Sequence, residues 1–267
     1  MGLLHSARGM TDNPGMEATL TQQTREAAKF DELADSTGES WWGHTTPAGR
    51  RRSQRRAAIL TAEMQACPDG EVLEIGCGTG VYSRALLEVR PALRLVGCDI
   101  SPRSIALAGE RLAGFANARF DTQDITALAY EEGSFDVVTG NSILHHVPIA
   151  PTLREALRVL KPGGLLLCFE PNLLNPELAF WHHLPRRLVP RGLEFSDDER
   201  PFTRWAGRRH LEEAGFVDAS CTPFDFLHPL VPRSLIETAD LIGRSIERAP
   251  LLREISGSQI IRARKPS

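Results

Sequence analysis

The amino-acid sequence predicts an α/β fold in which helices cover a doubly wound, mostly parallel sheet of seven strands. From Glu71 onward, short apolar runs alternate with amphipathic stretches, as strands and crossover helices do in parallel sheets. A turn with glycine at every second position follows the first apolar run. Later, the segment KPGG separates an amphipathic run from an apolar one. Because Pro and Gly end helices and permit turns, this segment predicts a turn between a helix and a strand.

The strands are predicted from the apolar runs themselves. In chain order these runs read EVLEI, LRLVGCDI, ARFDTQDI, FDVVTGNSIL, GGLLLCFE, FVDASCTPFDF and SGSQIIRARK. Helices are predicted up to Arg90, from Pro102, over TLREALRVL, over RWAGRRHLEEAG and before the last strand. The order of these elements is that of a single α/β domain.

Three segments lie outside this alternation. Residues 1–20 are polar and punctuated by Gly and Pro, which predicts disorder. Residues 21–66 are helical in pattern with a Gly/Ser/Trp-rich break, so we expect an N-terminal helical cap on a domain over residues 67–267. Residues 171–202 follow the fifth strand and are predicted to form a lid insertion, at the end of the sheet where α/β proteins bind ligands.

The composition limits the classes of partner. The 31 Lys and Arg residues and 34 Asp and Glu residues give a formal charge of −3, which provides no general attraction for nucleic acid or an anionic membrane. The sequence has neither the apolar stretch of a signal peptide nor a run of about 18 apolar residues that could span a membrane. Five widely spaced cysteines, without metal-ligand spacing, predict a reduced cytoplasmic protein with no metal site.

The most informative motif is VLEIGCGTG, over residues 72–80, in which an apolar strand runs into a glycine-rich turn. Gly76, Gly78 and Gly80 permit a tight turn and leave room for a ligand beside the backbone. Nicotinamide and flavin sites use G-x-G-x-x-G, whereas the spacing here is G-x-G-x-G, which disfavours an oxidoreductase. Glu74 would repel a pyrophosphate but favours a ligand with an ammonium and a sulfonium group.

Two further acidic residues follow the next two predicted strands. Asp99 lies about 20 residues beyond the glycine turn, where a carboxylate can accept hydrogen bonds from both hydroxyls of a ribose. Asp124 follows the third strand, in a place that suits the amino group of adenine. The backbone N–H of Ile125 is then available to a ring nitrogen.

The segments VLEIGCGTG, VGCDIS, TQDIT, GSFDVVTGNSILHHV and LRVLKPGGLLLCFEPN together resemble the class I S-adenosylmethionine-dependent methyltransferases, which have a Rossmann-like fold. They are most similar to the bacterial small-molecule group that includes quinone-biosynthesis methyltransferases. The resemblance covers Glu71 to Gly215, and more loosely the chain up to Lys265. It implies S-adenosyl-L-methionine as cofactor. The residues it assigns are Glu74, Gly76, Gly78 and Gly80 for the methionine end, Asp99 and Ile100 for the ribose, Asp124 and Ile125 for adenine, and Asn141 after the fourth strand.

The segment after the fourth strand bears on the methyl acceptor. It reads GNSILHHV, which lacks the Asn/Asp-Pro-Pro-aromatic segment that holds a flipped base in nucleic-acid methyltransferases. Relatives in the small-molecule group often place a histidine facing the acceptor here, and we select His146 as the candidate general base and His145 as a candidate acceptor contact. Glu170 ends the fifth strand and either orients His146 or acts as the base itself. The alternatives are a packed or capping histidine and a carboxylate bonded to a loop.

The predicted cap and insertion contain further candidate acceptor contacts. The aromatic candidates are Trp41, Trp42, Phe180 and Trp181, although each alone could simply be a core residue. Arginines at 50–52 and 186–187 are either solvated helix faces or clamps for a carboxylate or phosphate, with Arg50 selected as the candidate contact.

The leading functional prediction is O- or C-methylation of a small, largely apolar metabolite in natural-product biosynthesis. An alternative is C-methylation of an isoprenyl diphosphate, in which arginines bind the diphosphate, aromatic rings stabilise a carbocation and Glu170 accepts the proton. A third hypothesis, of another class, is a protein that binds the cofactor without transferring its methyl group.

Overall fold

The computed structural model describes residues 25, 27–28, 30–32, 43–64, 70–184 and 199–267. The strands are β1 (Glu71–Ile75), β2 (Arg94–Asp99), β3 (Ala118–Thr122), β4 (Phe135–Asn141), β5 (Leu160–Pro171), β6 (Val217–Phe224) and β7 (Ser258–Arg264). The helices are α1 (Pro47–Glu63), α2 (Val81–Val89), α3 (Pro102–Arg111), α4 (Ile149–Val159), α5 (Pro176–His183), α6 (Arg204–Glu213) and α7 (Ile236–Ile246). Three short 3₁₀ helices lie at Leu144–His146, Arg233–Leu235 and Leu252–Ile255.

The seven strands form one sheet in the order β3-β2-β1-β4-β5-β7-β6. Strands β1 to β5 are parallel, whereas β7 runs antiparallel to both β5 and β6. The chain moves outward from β1 to β3 and then returns to β4, so the strand order reverses between β1 and β4. Doubly wound sheets bind ligands at such a reversal. The predicted fold class, with its seven-stranded and mostly parallel sheet, is confirmed.

The core lies on both faces of the central strands. Neighbouring residues along β1 belong to different apolar clusters, Leu73 to one and Val72 to the other, and Val138 and Val137 of β4 divide in the same way. Since successive side chains of a strand point to opposite faces, each cluster covers one face of the sheet. Burial on both faces explains why these strands read as continuous apolar runs.

Helix α1 is part of this core. Its Leu60 is fully buried and lies in the same cluster as Val72 of β1 and Phe169 of β5. The helix begins after Thr46, whose Oγ1 accepts a hydrogen bond from the Gly49 backbone N–H at 3.0 Å. The segment that the sequence assigns to an N-terminal cap therefore contributes a helix to the main core, while the boundaries at 21–66 and 67–267 stay predictions.

The KPGG segment differs from its prediction as a turn between helix and strand. Helix α4 ends at Val159 and β5 begins at the next residue. Leu160 pairs with Phe135 of β4, and the register then shifts before Leu165 pairs with Val137. The backbone is already extended at Leu160, so β5 begins before the Pro and Gly residues. These residues therefore interrupt the pairing of β5 with β4 and do not form a turn between helix and strand.

Several predicted segments lie wholly or partly outside the described residues. Of the insertion predicted over 171–202, the structure describes residues 171–184, which contain α5, and residues 199–202. Asn175 caps α5 by accepting a hydrogen bond from Leu178 N at 3.0 Å. The predictions for residues 1–20, Trp41, Trp42, Arg186 and Arg187 fall outside. Among the described helices, none combines the length and apolar character needed to cross a membrane.

We expect Leu60→Ala to lower the free energy of unfolding by about 2–5 kcal/mol, because it leaves a cavity between α1 and the sheet. Leu241→Ala, on the exposed side of α7 where the side chain is 68% exposed, should change it by less than about 0.5 kcal/mol. Chemical denaturation of the two variants measures both values. Equal small effects would show that α1 is not part of the cooperative core.

Candidate functional site

A cavity of about 670 Å³ opens at the carboxyl ends of the central strands, beside the reversal in strand order. It is lined by every predicted cofactor residue except Gly80, namely Glu74, Gly76, Gly78, Asp99, Ile100, Asp124, Ile125 and Asn141. It also extends to both histidines after β4 and to Trp181 of α5. Residues predicted to bind the cofactor and residues predicted to contact the acceptor thus share one cavity.

The three glycines of the turn meet two different requirements. All have positive φ angles, between +51° and +80°. A Cβ on Gly76 would lie 2.4 Å from Ile143 Cγ1, and a Cβ on Gly80 would lie 3.0 Å from Leu112 Cδ1. A Cβ on Gly78 would meet no heavy atom within 4 Å. Gly76 and Gly80 are therefore needed for packing, and Gly78 presents bare backbone to the cavity.

Asp99, the last residue of β2, holds the glycine turn in place. Its Oδ2 accepts a hydrogen bond from Gly78 N at 2.9 Å, and its Oδ1 accepts one from Ser101 N at 3.0 Å. Burial raises the pKa of Asp99, although these backbone hydrogen bonds oppose the rise. Each carboxylate oxygen has a second lone pair, so the side chain can also accept ligand hydroxyl groups.

Glu74 is a buried carboxyl group behind the turn. Glu74 is only 1% exposed, and the Ser83 hydroxyl donates a hydrogen bond to its Oε2 at 2.6 Å. Burial raises its pKa to about 8, with a further contribution from the charge of Asp99. In the absence of a ligand the neutral acid therefore predominates at neutral pH. A cationic ligand in the cavity would favour the ionised form.

The turn after β3 brings two predicted adenine contacts to the cavity. Asp124 Oδ1 accepts hydrogen bonds from the backbone N–H and the hydroxyl of Thr126, both at 2.8 Å. Ile125 is 6% exposed and packs into the apolar core. This turn is held by its own hydrogen bonds, so it presents a fixed edge to the cavity.

Asn141, the last residue of β4, is bonded to an arginine that sequence reasoning did not select. Arg56 of α1 donates to Asn141 Oδ1 at 2.5 Å and to Ser258 Oγ at 2.9 Å. Arg56 is 4% exposed, and burial lowers its pKa to about 10. The selected candidate, Arg50, is instead exposed, outside the cavity lining, and donates to the Thr45 carbonyl.

A second arginine of α1, Arg52, lies beside Arg56, and the two together are called the cationic wall of the cavity. Arg52 donates to Asp225 Oδ2 at 2.8 Å, and Arg56 Nη2 lies 3.4 Å from the same oxygen. Burial alone would raise the pKa of Asp225, but the two guanidinium charges hold it below its ordinary value. His44 lies on the same wall, and burial followed by the charges of Arg56 and Arg52 lowers its pKa to about 4. One carboxylate therefore faces two guanidinium groups.

Glu170 bonds the segment that carries His145 and His146, and the part of the cavity wall formed by these two histidines is called the imidazole side. Glu170 Oε1 accepts hydrogen bonds from Ile143 N at 3.0 Å and Leu144 N at 2.9 Å, and its Oε2 lies 2.7 Å from His145 Nδ1. Glu170 is fully buried and outside the cavity lining, whereas His145 and His146 both contribute to it. The carboxylate thus orients His145 rather than His146, and its distance from the cavity gives no support to the hypothesis of Glu170 as the base.

Glu199 is a further residue of this side that the sequence did not identify. The backbone N–H of Arg200 donates to the carbonyl of His145 at 2.7 Å, which brings the preceding carboxylate onto the cavity wall. Glu199 Oε1 then lies 3.8 Å from His146 Nδ1. Its position at the end of the predicted insertion gave no local sequence signal.

Phe180 and Trp181 are the members of the predicted aromatic set that lie among the described residues. Trp181 lines the cavity, while the neighbouring Phe180 is 58% exposed and lies outside the lining. Phe30, Tyr82 and Phe226 also line it, and none of them was selected from the sequence. The cavity wall thus includes aromatic side chains from four separated parts of the chain.

The comparison with known families agrees with this geometry, because a methyltransferase-domain model matches residues 72–164, from β1 into β5. The chain carries a class I S-adenosylmethionine-dependent methyltransferase domain. The assignment of this family and of its cofactor, both made from the glycine turn and its flanking strands, is confirmed.

Two curated relatives and one solved structure illustrate the similarity. The 2-methyl-6-phytyl-1,4-hydroquinone methyltransferase of Synechocystis is 33% identical over 170 residues, which cover 62% of this chain and 52% of the relative. The erythromycin 3''-O-methyltransferase of Saccharopolyspora erythraea is 32% identical over 184 residues, covering 64% and 58%. A Thermotoga maritima structure described as a possible histamine N-methyltransferase has a TM-score of 0.64 at 18% identity, covers 90% of this chain and 99% of its own, and shows the fold alone. The chain spans about half the length of these curated relatives.

We expect Gly78→Ala to fold, at a cost of about 1–2 kcal/mol from its φ of +51°. It should bind S-adenosylhomocysteine at least roughly tenfold more weakly, a loss of about 1.4 kcal/mol, because the new methyl group enters the cavity. Gly76→Ala should instead destabilise the whole protein, since its Cβ would clash with Ile143 at 2.4 Å. Isothermal titration and thermal unfolding measure the two effects. Unchanged affinity in Gly78→Ala would remove the turn from the cofactor site.

We expect Glu74→Gln to stabilise the unliganded protein increasingly as the pH rises from about 4.5 to about 8. The folded wild type retains a proton on Glu74 in this range that the unfolded chain has lost, so its stability falls with increasing pH. The full difference is a few kcal/mol, since a tenfold change in proton affinity is worth about 1.4 kcal/mol. Thermal unfolding between pH 5 and 9 tests this, with Glu88→Gln on the exposed side of α2 as control. A pH-independent difference between wild type and Glu74→Gln would contradict it.

Proposed function

We propose that this methyltransferase transfers the methyl group of S-adenosylmethionine to an oxygen or carbon atom of a small, largely apolar acceptor. The observation that carries the proposal is the single cavity that joins the glycine turn to the imidazole side and to aromatic side chains. Two curated relatives named for a hydroquinone and a macrolide support an acceptor of this kind. The predictions that the acceptor is not a nucleic acid and that the protein is cytoplasmic are retained as part of the proposal.

The charges of the cavity fit the zwitterionic end of the cofactor. We assign its carboxylate to the cationic wall of Arg52 and Arg56, which carries one more positive than negative charge. We assign its ammonium and sulfonium groups to the side of Glu74, whose carboxyl group can ionise beside a cation.

The nucleoside end of the cofactor fits the part of the cavity that contains Asp99 and Asp124. We assign the ribose to Asp99 and Ile100, and adenine to Asp124 and Ile125, because these residues line the cavity in chain order after β2 and β3. When bound, the cofactor supplies a methyl group that is already activated as a sulfonium substituent. The work left to the protein is to exclude water, align the acceptor and remove any acceptor proton.

We assign acceptor activation to His145 and His146, which line the same cavity as the nucleoside residues. Glu170 is a positioning residue in this assignment, because its carboxylate bonds His145 Nδ1 and two backbone amides. The remaining ring nitrogen of His145 is then the one that faces a ligand. In O-methylation such a group can assist loss of the hydroxyl proton.

The isoprenyl diphosphate alternative has less support from the described residues. Arg51, one of the candidate arginines at 50–52, pairs with Asp240 of α7. Glu170, the proton acceptor in that hypothesis, is outside the cavity lining. Cofactor binding without transfer stays a separate alternative.

Labelled S-adenosylmethionine, incubated with a panel of prenylated hydroquinones and glycosylated macrolides, tests the proposal directly. Product formation supports it. Silence across the panel together with tight S-adenosylhomocysteine binding favours the non-catalytic alternative, and absence of cofactor binding ends both.

With an active acceptor in hand, we expect Glu170→Gln to lower kcat by roughly 10–100-fold while cofactor affinity stays within about twofold. The KM for the acceptor should stay within about twofold of the wild-type value, because Glu170 lies outside the cavity lining and acts through His145. Glu213→Gln, on the exposed side of α6, is the matched control. A wild-type kcat in Glu170→Gln would remove the positioning role.

A further inference from the structure

Three side chains with metal-ligating atoms meet on the cavity wall. The ligating atoms of His145, His146 and Glu199 all lie within 4.8 Å of one another, in a site where His145 and Glu199 are buried. From this arrangement we propose that the three side chains bind one divalent first-row transition-metal ion. The sequence predicted no metal site, because Glu199 is more than 50 residues from the histidines and only the tertiary structure joins them.

His145 is already oriented as a metal ligand would be. Its Nδ1 is engaged by Glu170 Oε2 at 2.7 Å, which leaves Nε2 as the ligating atom. Glu170 is itself fixed by the backbone amides of Ile143 and Leu144. Metal-bound histidines commonly donate their second ring N–H to a carboxylate, which fixes both the ring orientation and the tautomer.

The spacing between His146 and Glu199 also suits an intervening ion. Their closest nitrogen and oxygen atoms are 3.8 Å apart, too far for a good hydrogen bond. Two ligands on one zinc ion lie about 3.4 Å apart when each bond is about 2.1 Å long and the angle is tetrahedral. The backbone bond from Arg200 to His145 holds the Glu199 segment in register, so small side-chain rotations complete the site.

The donor set selects the kind of ion. Two imidazole nitrogens and one carboxylate oxygen suit Zn²⁺, Fe²⁺, Co²⁺ or Ni²⁺, whereas Mg²⁺ and Ca²⁺ prefer oxygen ligands. Three protein ligands leave at least one coordination position open, as in catalytic rather than structural sites. Because all three residues line the cavity, an open position would face the bound acceptor.

This role rests on the proposed function, since it concerns how the acceptor is activated. An acceptor hydroxyl oxygen bound to the ion would lose its proton to solvent, because coordination makes the hydroxyl more acidic. The oxygen would then attack the methyl carbon, the carbon–sulfur bond would break, and the cofactor would leave as a neutral thioether. With the ion in place, His145 and His146 act as ligands and not as proton acceptors.

The test uses metal binding without cofactor or acceptor, so that it is independent of transfer. Chelator-treated full-length protein is titrated with Zn²⁺ by calorimetry, and with Co²⁺ by visible absorption, which reports ligand geometry. We expect one ion per chain, at least roughly 100-fold weaker binding in His146→Ala and Glu199→Gln, and about tenfold weaker binding in Glu170→Gln.

The matched control is the pair His210 and Glu213 on α6, whose nitrogen and oxygen atoms are also 3.8 Å apart, with Glu213 exposed to solvent and His210 half-buried. Their variants His210→Ala and Glu213→Gln should bind Zn²⁺ as the wild type does. S-adenosylhomocysteine binding shows that each variant is folded, and Glu199→Gln carries the test should His146→Ala not fold.

Wild-type protein that takes up no tightly bound ion would overturn the inference, as would equal binding by wild type, His146→Ala and Glu199→Gln. Tight and variant-sensitive metal binding in a protein that transfers no methyl group would keep the metal site and refute the proposed function. Methyl transfer at full rate in metal-free protein would leave the imidazoles as proton acceptors and overturn the catalytic role of the ion.

Discussion

The site depends on carboxyl groups buried at the ends of parallel strands. The chain turns sharply where each strand ends, and the backbone amides of those turns need acceptors in a region that water reaches poorly. Asp99 at the end of β2 accepts from Gly78 and Ser101, and Glu170 near the end of β5 accepts from Ile143 and Leu144. In both cases the carboxylate bonds a neighbouring loop and not its own strand alone. The loops that shape the cavity are therefore tied to the sheet by charge-assisted hydrogen bonds.

Helix α1 packs into the core, and its basic run RRRSQRR contacts both the cavity and the α7 region, which consists of α7 and the following Glu247. Arg52 and Arg56 are four residues apart and so lie on one face of the helix, directed to Asp225 and the cavity. Arg51 and Arg55 have the same spacing on the adjacent face, and they pair with acidic residues of the α7 region. The run RRRSQRR thus contains two stripes with different partners.

The fold and the cofactor residues could be predicted because their signals are local in sequence. The order of strands and helices follows from alternating patterns, and Glu74 to Gly80 lie within one short motif. The pairing of Arg56 with Asn141 and Ser258 could not be predicted, because these residues are 85 and 202 positions apart in the chain. The motif also failed to separate the packing glycines from Gly78, since that difference depends on Ile143 and α3.

The histidine pair shows the same limit at the acceptor side. Adjacent residues in an extended segment would point in opposite directions, but His145 and His146 lie in a 3₁₀ helix with ring centroids 4.0 Å apart. Glu170 therefore reaches His145, while Glu199 approaches His146 from the far end of the insertion. Glu170 thus bonds one imidazole, and Glu199 lies 3.8 Å from the other. The bond from Glu170 fixes the His145 ring before a ligand arrives, so an acceptor or an ion meets a preorganised group there and little conformational entropy is lost on binding.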